Sequence, residues 1–440
     1  MNKQENNKKR TVAFHTLGCK LNFAETATIA RKFEEKGFGK TNFSNKSDIY
    51  VINTCSVTGQ ADKKCRQAIK KAIRQSPEAY IVVLGCYAQL KSEEIAAIKG
   101  VDLVLGTKNK FKAADLIEDL TSLNEPKIYS CGINDVGDFN PSFSLNERTR
   151  GFLKVQDGCD YKCSYCTIPF ARGKSRNQTI ELTVQKAEEM AAGGVKEIVI
   201  TGVNVGDFGR STGENLLALI QNLEKVNGIE RYRISSIEPN LLTDDIINFV
   251  KGSDRFMPHF HIPLQSGCNK ILKLMRRRYL REVFAERVNR IKSAMPDAFI
   301  GVDVIVGFPE ETEEDFDETY EFLKILDISF LHVFSYSERE NTLAASMSGK
   351  VPEYEKQKRS KKLLALSEIK HQQFYNSHLN NKYDVLFEST KNKGKMYGYT
   401  GNYIKTETPY NRELIGTLRK VRLTGVEADG NASFEFIDRL

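Results

Sequence analysis

A chain of 440 residues and 49.8 kDa is longer than one hydrophobic core usually fills, which predicts two or three domains. Apolar residues at 40%, charged residues at 28%, and only 30 Gly and 11 Pro exclude a disordered or collagen-like chain. No apolar run approaches the ~18 residues of a membrane span, and the polar, basic start MNKQENNKKR has no signal-peptide core, so a cytoplasmic chain without a membrane partner is expected. The net charge of +8 leans modestly towards a polyanionic partner.

The first hundred residues alternate strands and amphipathic helices. VAFHT (12–16) precedes a helix over 23–36, IYVINT (49–54) a helix near 60–75, and YIVVLG (80–85) a helix over 92–99, with VDLVLG (101–106) following. This alternation predicts a small parallel α/β domain over 10–131. Cys19, Cys55 and Cys86 each fall just after a strand, at the sheet edge where ligands of open α/β sheets bind. Breaker-rich residues 132–149 read as a linker.

From Gly151 a second pattern begins. Strands at 151–156, 196–202, 231–236, 259–264, 299–306 and 328–335 alternate with helices at 181–193, 213–226, 241–251, 268–275, 281–295 and 313–326. Six such units predict an open (β/α)6 barrel over 150–352, with its chemistry at the carboxyl ends of the strands. Residues 353–380 read as a basic helix, through Lys356, Lys358, Arg359, Lys361, Lys362 and Lys370, that either faces RNA or is simply solvated. Short alternating strands over 381–440 predict a small antiparallel β-barrel, an architecture often used for oligonucleotides.

Nine cysteines in a chain expected in the cytoplasm point to metal or redox chemistry before disulfides. The strongest signal is GCDYKCSYC, where Cys159, Cys163 and Cys166 crowd onto one loop after the first barrel strand. Three thiolates can hold three irons of a [4Fe–4S] cube and leave the fourth iron open to the amino and carboxylate groups of S-adenosylmethionine. A zinc knuckle or ferredoxin site would want a fourth Cys or His, and none lies within twenty residues on either side.

The triplet, with Tyr165 before its last cysteine and a barrel behind it, resembles the radical S-adenosylmethionine superfamily. A narrower resemblance covers nearly the whole chain. TLGCKLN (16–22), NTCSVT (53–58), LGCYAQ (84–89), TGVNVGDFG (201–209), SSIEP (235–239), HIPLQSG (261–267), DVIVGFP (303–309) and FSYSERENTLA (334–344) are similar to motifs of the methylthiotransferases. That resemblance implies an auxiliary [4Fe–4S] cluster on Cys19, Cys55 and Cys86, a radical-generating one on Cys159, Cys163 and Cys166, and a C-terminal TRAM-like RNA-binding barrel. It also implies S-adenosylmethionine contacts at Tyr165, Gly202, Asn204, Gly206, Glu238 and Gln265. In such enzymes one S-adenosylmethionine methylates a cluster-held sulfur and another generates the radical that allows C–S bond formation.

TLGCK and ADKKCRQ resemble the branch acting on N6-threonylcarbamoyladenosine 37 of tRNA, whereas the isopentenyladenosine branch more often carries Trp-Gly-Cys-Gln and this chain has no Trp. The expected reaction is therefore methylthiolation of C2 of that nucleoside, with tRNA, an electron donor such as flavodoxin or ferredoxin, and a sulfur donor as partners, and no DNA. The alternatives are methylthiolation of an aspartate of ribosomal protein S12 and a non-catalytic iron–sulfur RNA-binding protein. The last leaves the open iron positions unexplained.

Other residues carry smaller expectations. Cys65 shares a helix face with Ala61, Ala68, Ile69 and Ala72 and reads as core, and Cys131 reads as structural. Cys268 also reads as structural, although a helix start there could lower its pKa. His259 and His261 share one strand face and read as hydrogen-bonded interior residues near the substrate. Arg276, Arg277 and Arg278 read as a phosphate contact or a solvated run. Glu310 and Asn341 stand where the family commonly has Gly, so tight turns there must accept side chains.

Overall fold

A computed structural model describes residues 10–117, 125–145 and 149–437. They divide into two units: the residues up to 144 together with 157–161 and 166–176, and the remainder. In the first unit, β1 (Thr11–Thr16), β2 (Gly39–Thr41), β3 (Ile49–Thr54), β4 (Tyr80–Gly85), β5 (Leu103–Leu105) and β6 (Lys127–Tyr129) form one parallel sheet ordered 2-1-3-4-5-6. Every residue of β3 and β4 is buried, as the unbroken apolar runs require of strands covered on both faces. Ile29 and Phe33 of α1 (Lys20–Glu35) pack against Val12, Val51 and Val82, and Cys65 and Ile69 of α2 (Gly59–Gln75) pack on the other face with Tyr50, Ile52, Ile81 and Val83. Cys65 is thus core, as expected.

Where the elements differ from expectation, local geometry supplies the reason. Cys19 keeps an extended backbone as N-cap, so α1 starts at Lys20 rather than 23. The helix expected over 92–99 is the shorter α4 (Ser92–Ala96), and α3 (Cys86–Leu90) precedes it directly off β4. Strands β2 and β6 are three-residue edges, GKT and KIY, too short to show a period. The expected linker is partly packed: Val136 and the strand β7 (Ser142–Phe143) are buried, Phe143 N–H donates to Thr28 Oγ1 (3.2 Å), and Arg31 lies 4.1 Å over its ring. Residues 146–148 of that linker lie outside the described residues.

A buried charge network organises the functional end of this unit. Arg172 closes α5 (Ile168–Arg172), six residues after Cys166, and donates to Glu25 Oε1 (3.1 Å), Asp157 Oδ1 (2.9 Å) and Asn22 Oδ1 (2.6 Å). Lys110 Nζ lies 2.7 Å from Glu25 and Arg176 3.1 Å from Asp157, all five charged side chains being buried. Burial on this scale is tolerable only because each charge finds an opposite partner.

The second unit is built on β8 (Arg150–Lys154), β11 (Glu197–Thr201), β12 (Arg231–Ile234), β13 (His259–Gln265), β14 (Phe299–Val306) and β15 (Phe330–Ser335), with two-residue strands β9 (Gln156–Asp157) and β10 (Arg176–Asn177) to either side of the cysteine loop. The six longer strands run parallel in the order 8-11-12 and 13-14-15, joined by single bridges Tyr232↔Phe256 and Ser236↔His261. Helices alternate with them, which is the expected open six-stranded barrel. The turns at Glu310 (φ +66°) and Asn341 (φ +63°) do carry side chains in the left-handed region.

Several basic residues of the long helix Glu353–Asn376 are engaged by neighbouring groups. Arg359 is buried against Glu311 (2.5 Å), Lys362 meets Asp317 (2.8 Å), Lys358 meets Glu313 (3.5 Å), and Lys370 donates to the carbonyls of Lys324 and Leu326. Lys358, Lys362 and Lys370 thus lie along the acidic helix Glu313–Ile325, while Lys358, Lys361 and Lys362 remain exposed. Beyond it, strands Lys382–Phe387, Lys395–Tyr399, Lys405–Pro409, Leu418–Val426 and Ala432–Phe436 close into a five-stranded barrel. Arg231 donates to the carbonyls of Asp384 (2.6 Å) and Tyr399 (2.9 Å), and Arg233, paired with Glu197, to those of Thr400 and Gly401. These bonds seat the small barrel on the strand starts of the larger one.

Removing Arg172 leaves Glu25 with Lys110 and Asp157 with Arg176 as their remaining charged partners, and opens a buried cavity between the two carboxylates. Arg172→Ala should therefore destabilise the N-terminal unit by about 3–5 kcal/mol in urea titration, and a loss below about 1 kcal/mol would show the network to be energetically idle.

Candidate active site

The strand order reverses between β1 and β3, which opens a crevice at their carboxyl ends. Cys19, Cys55 and Cys86 follow β1, β3 and β4 at this edge. Gly18 (φ +102°) lets the first two approach: a Cβ there would lie 2.7 Å from Cys55 Cβ and 2.9 Å from its Sγ. Cys55 and Cys86 are buried, Cys19 is exposed, and all are free thiols. Burial, then the neighbouring Cys86 and Cys19, pushes the Cys55 thiol up to about 12, and burial likewise raises Cys86 against the opposing pull of Arg172 and Lys110. Asn22 ties the edge together, donating to Leu17 O (2.7 Å) and Thr54 O (3.1 Å) while its Oδ1 lies 3.9 Å from Cys19 Sγ and accepts from Arg172. Three soft donors gathered at one sheet edge fit three irons of an iron–sulfur cluster.

The second triplet sits on a loop whose backbone is aimed at its sulfurs. Tyr161 N–H points at Cys159 Sγ (3.3 Å), and Ile168 N–H at Cys166 Sγ (3.4 Å). Gly158 (φ +71°) is obligatory, because a Cβ there would meet Lys174 O at 2.0 Å. Cys159 and Cys166 belong to the first unit and Cys163 to the second. Within the second, Arg277 Nη1 donates to Cys163 Sγ (3.1 Å) and its other arm forms an ion pair with Glu238. Burial raises both the Cys163 thiol and the Glu238 carboxyl, with Arg277 opposing each rise. Tyr279 lies under the guanidinium, 5.0 Å from ring centroid to Cζ, and its hydroxyl donates to Pro263 O (2.5 Å) beside Gln265.

The remaining expected contacts line the same barrel. Gln156 Oε1 accepts from the amides of Val203 and Asn204, each at 2.9 Å, and Gly202 leaves room for this because a Cβ would fall 2.9 Å from that oxygen. A Cβ at Gly206 would meet Leu241 Cβ at 2.6 Å. The amide of Asn204 is buried, and neither its Nδ2 nor its Oδ1 has a partner. An unmet buried amide is costly, so this one is poised for a polar ligand. Gln265 is buried with φ +71°, and Tyr165 stands edge-on to Phe308 at 6.3 Å.

Two functional residues escaped sequence reasoning. Arg277 lay in a run read as phosphate contact or solvent, yet it donates to Cys163 Sγ; Gln156 had no motif of its own, although it follows the strand leading into the cysteine loop. Cys268 is buried as a structural residue would be, and its thiol is raised to about 11 by burial, Glu318 and Asp315, which outweigh the lowering pull of the helix-start amides of Ile271 and Lys270. Cys131 is partly exposed, its carbonyl accepting from Gln89. His261 is hydrogen-bonded to Asp303 (2.7 Å), and His259 stacks on Phe299.

Residues 11–106 match the family described as uncharacterized protein family UPF0004, and residues 153–323 match the radical SAM superfamily. The chain is 42% identical to the threonylcarbamoyladenosine tRNA methylthiotransferase MtaB of Bacillus subtilis, covering 94% of this chain and 93% of that one. It is also 42% identical to the protein of that name from Aquifex aeolicus, over 83% and 89% of the two chains. A tRNA-2-methylthio-N(6)-dimethylallyladenosine synthase from Acetivibrio thermocellus is 31% identical over 96% and 90%. Among solved structures, the radical S-adenosylmethionine methyltransferase TsrM from Kitasatospora setae, with cobalamin and a [4Fe–4S] cluster bound, shares the fold at a TM-score of 0.55 and 13% identity, covering 77% of each chain. With its two cysteine triplets held at the strand ends of two parallel sheets, the chain belongs to the methylthiotransferase family of radical S-adenosylmethionine enzymes.

Proposed function

We propose that the protein adds a methylthio group to C2 of N6-threonylcarbamoyladenosine 37 in tRNA, with Cys159, Cys163 and Cys166 holding one [4Fe–4S] cluster and Cys19, Cys55 and Cys86 the other. The observation that carries the choice of nucleoside is identity along nearly the whole chain: 42% with relatives named for threonylcarbamoyladenosine against 31% with one named for dimethylallyladenosine. When bound, the clusters and S-adenosylmethionine supply the radical, the sulfur and the methyl group.

The chain's own residues do the holding and orienting. The six thiols must lose their protons to bind iron, and because burial raises Cys55, Cys86 and Cys163, that loss is driven by the metal rather than by pH. Arg277 keeps a permanent positive charge on Cys163 and fixes the Glu238 carboxylate beside it. Asn204 offers a donor and an acceptor, and Glu238 an acceptor, to the polar groups of S-adenosylmethionine, while Gly202 and Gly206 let the backbone close around it. On the C-terminal barrel, Lys405 lies 4.0 Å over Tyr397 and Lys391 4.9 Å over Tyr410, basic and aromatic groups interleaved as an RNA-gripping surface requires. An electron donor such as flavodoxin or ferredoxin and a sulfur donor complete the cycle.

Nucleoside mass spectrometry of tRNA from cells with and without the gene tests the substrate. 2-Methylthio-N6-threonylcarbamoyladenosine should vanish on deletion and return on complementation; an unchanged level would move attention to ribosomal protein S12. In vitro, Cys159→Ala should abolish 5′-deoxyadenosine formation, whereas Cys19→Ala, Cys55→Ala or Cys86→Ala should permit it and stop methylthio transfer. Full transfer without the N-terminal thiols contradicts the assignment. Arg277→Ala, leaving a cluster cysteine without its charged donor, should slow S-adenosylmethionine cleavage about 10–100-fold, as measured by 5′-deoxyadenosine release.

A further inference from the structure

The inner wall of the open barrel carries a polar group that the cluster and cofactor assignments do not use. Three adjacent strands present it: His261 on β13, Asp303 on β14 and His332 on β15, with their nitrogen and oxygen atoms all within 4.8 Å of one another. His261 Nε2 bonds Asp303 Oδ1 at 2.7 Å, and the rings of His261 and His332 meet edge to face at 5.1 Å. Gly301, between the two imidazoles, leaves a hollow: a Cβ there would touch His261 Cδ2 and His332 Nε2, each at 3.7 Å. His332 is exposed although it lies on the inner face, and Phe334, two residues further along the same face, is 48% exposed. Phe334 lies level with Ile305, nearer the carboxyl ends of the strands, where Gln265 and the Arg277–Glu238 pair sit.

We infer that this wall binds the modified adenosine, with the base against Phe334 and its polar N6 substituent in the hollow between His261, Asp303 and His332. The inference rests on the proposed function and names its specificity site. An exposed aromatic ring is what an unstacked base needs. Two residues along a strand span about 6.6 Å, comparable to the reach of a threonylcarbamoyl arm from the purine edge. That arm carries an N–H, a hydroxyl and a carboxylate, so it needs an acceptor and cationic or neutral N–H donors together, which Asp303 and the two imidazoles provide. An alkyl substituent could accept or donate none of these hydrogen bonds, and a site built to hydrogen-bond discriminates against such an analogue. Two imidazoles and a carboxylate are also a metal donor set, but the His261 nitrogen that faces the carboxylate is already spent on a hydrogen bond to it.

The test uses the full chain with both clusters. His332→Ala should raise KM for tRNA bearing N6-threonylcarbamoyladenosine about 10–100-fold while leaving the affinity for tRNA with unmodified A37 within about twofold, and His332→Gln should recover part of the loss. An unchanged KM, an equal loss on both tRNAs, or bound zinc in the wild type that His332→Ala abolishes would each overturn the inference, the last in favour of a metal site. Failure of the wild type itself to modify threonylcarbamoyladenosine would instead overturn the proposed function.

Discussion

One guanidinium holds the cysteine-bearing segments of the N-terminal unit in register. Arg172 reaches from the helix that follows Cys166 to Asp157, just ahead of Cys159, and to Glu25 and Asn22 on the helix that begins after Cys19. Because these charges are buried, they cannot drift apart without leaving a desolvated ion, so the loops that carry both kinds of cysteine are pinned by electrostatics and not by apolar packing alone. The same cation lowers the cost of thiolate charge at Cys86, which burial otherwise opposes.

Charge is handled in a parallel way in the barrel unit. Arg277 faces Cys163 and Glu238, and Arg231 and Arg233 spend their donors on carbonyls of the small C-terminal barrel. Arginine suits these roles because its fork stays charged and satisfies several acceptors at fixed angles, so each one locks two elements at once. The surplus of positive charge in the composition is thus partly internal wiring, and it is a poor guide to where RNA binds. The long helix makes the same point: its basic residues answer the acidic helix beside it.

Much of the fold was legible because its signals are local. Unbroken apolar runs such as IYVINT and YIVVLG point to strands buried on both faces, and the six barrel strands and the small C-terminal barrel follow from period and turn residues, although one segment read as single there splits into two strands and one pairing in it is parallel. The edge strands GKT and KIY were invisible because three residues show no period, and the short helix at Cys86 because it begins without a side-chain cap. The left-handed turns at Glu310 and Asn341 were legible as departures from glycine.

The sequence by itself determined the chemistry: which six cysteines stand in two triplets, at which strand ends, and hence which soft-metal cofactor they suit. Tertiary structure alone decided the surroundings of those sulfurs. Arg277 could not be told from its neighbours Arg276 and Arg278, nor Arg172 from any other arginine, until folding set each against its carboxylates. His261, Asp303 and His332 come together only because three strands distant in the chain lie side by side. The physical reason is range: metal ligation and backbone periodicity are written in spacing along the chain, whereas the pairing of buried charges depends on distances that exist only once the strands are in register.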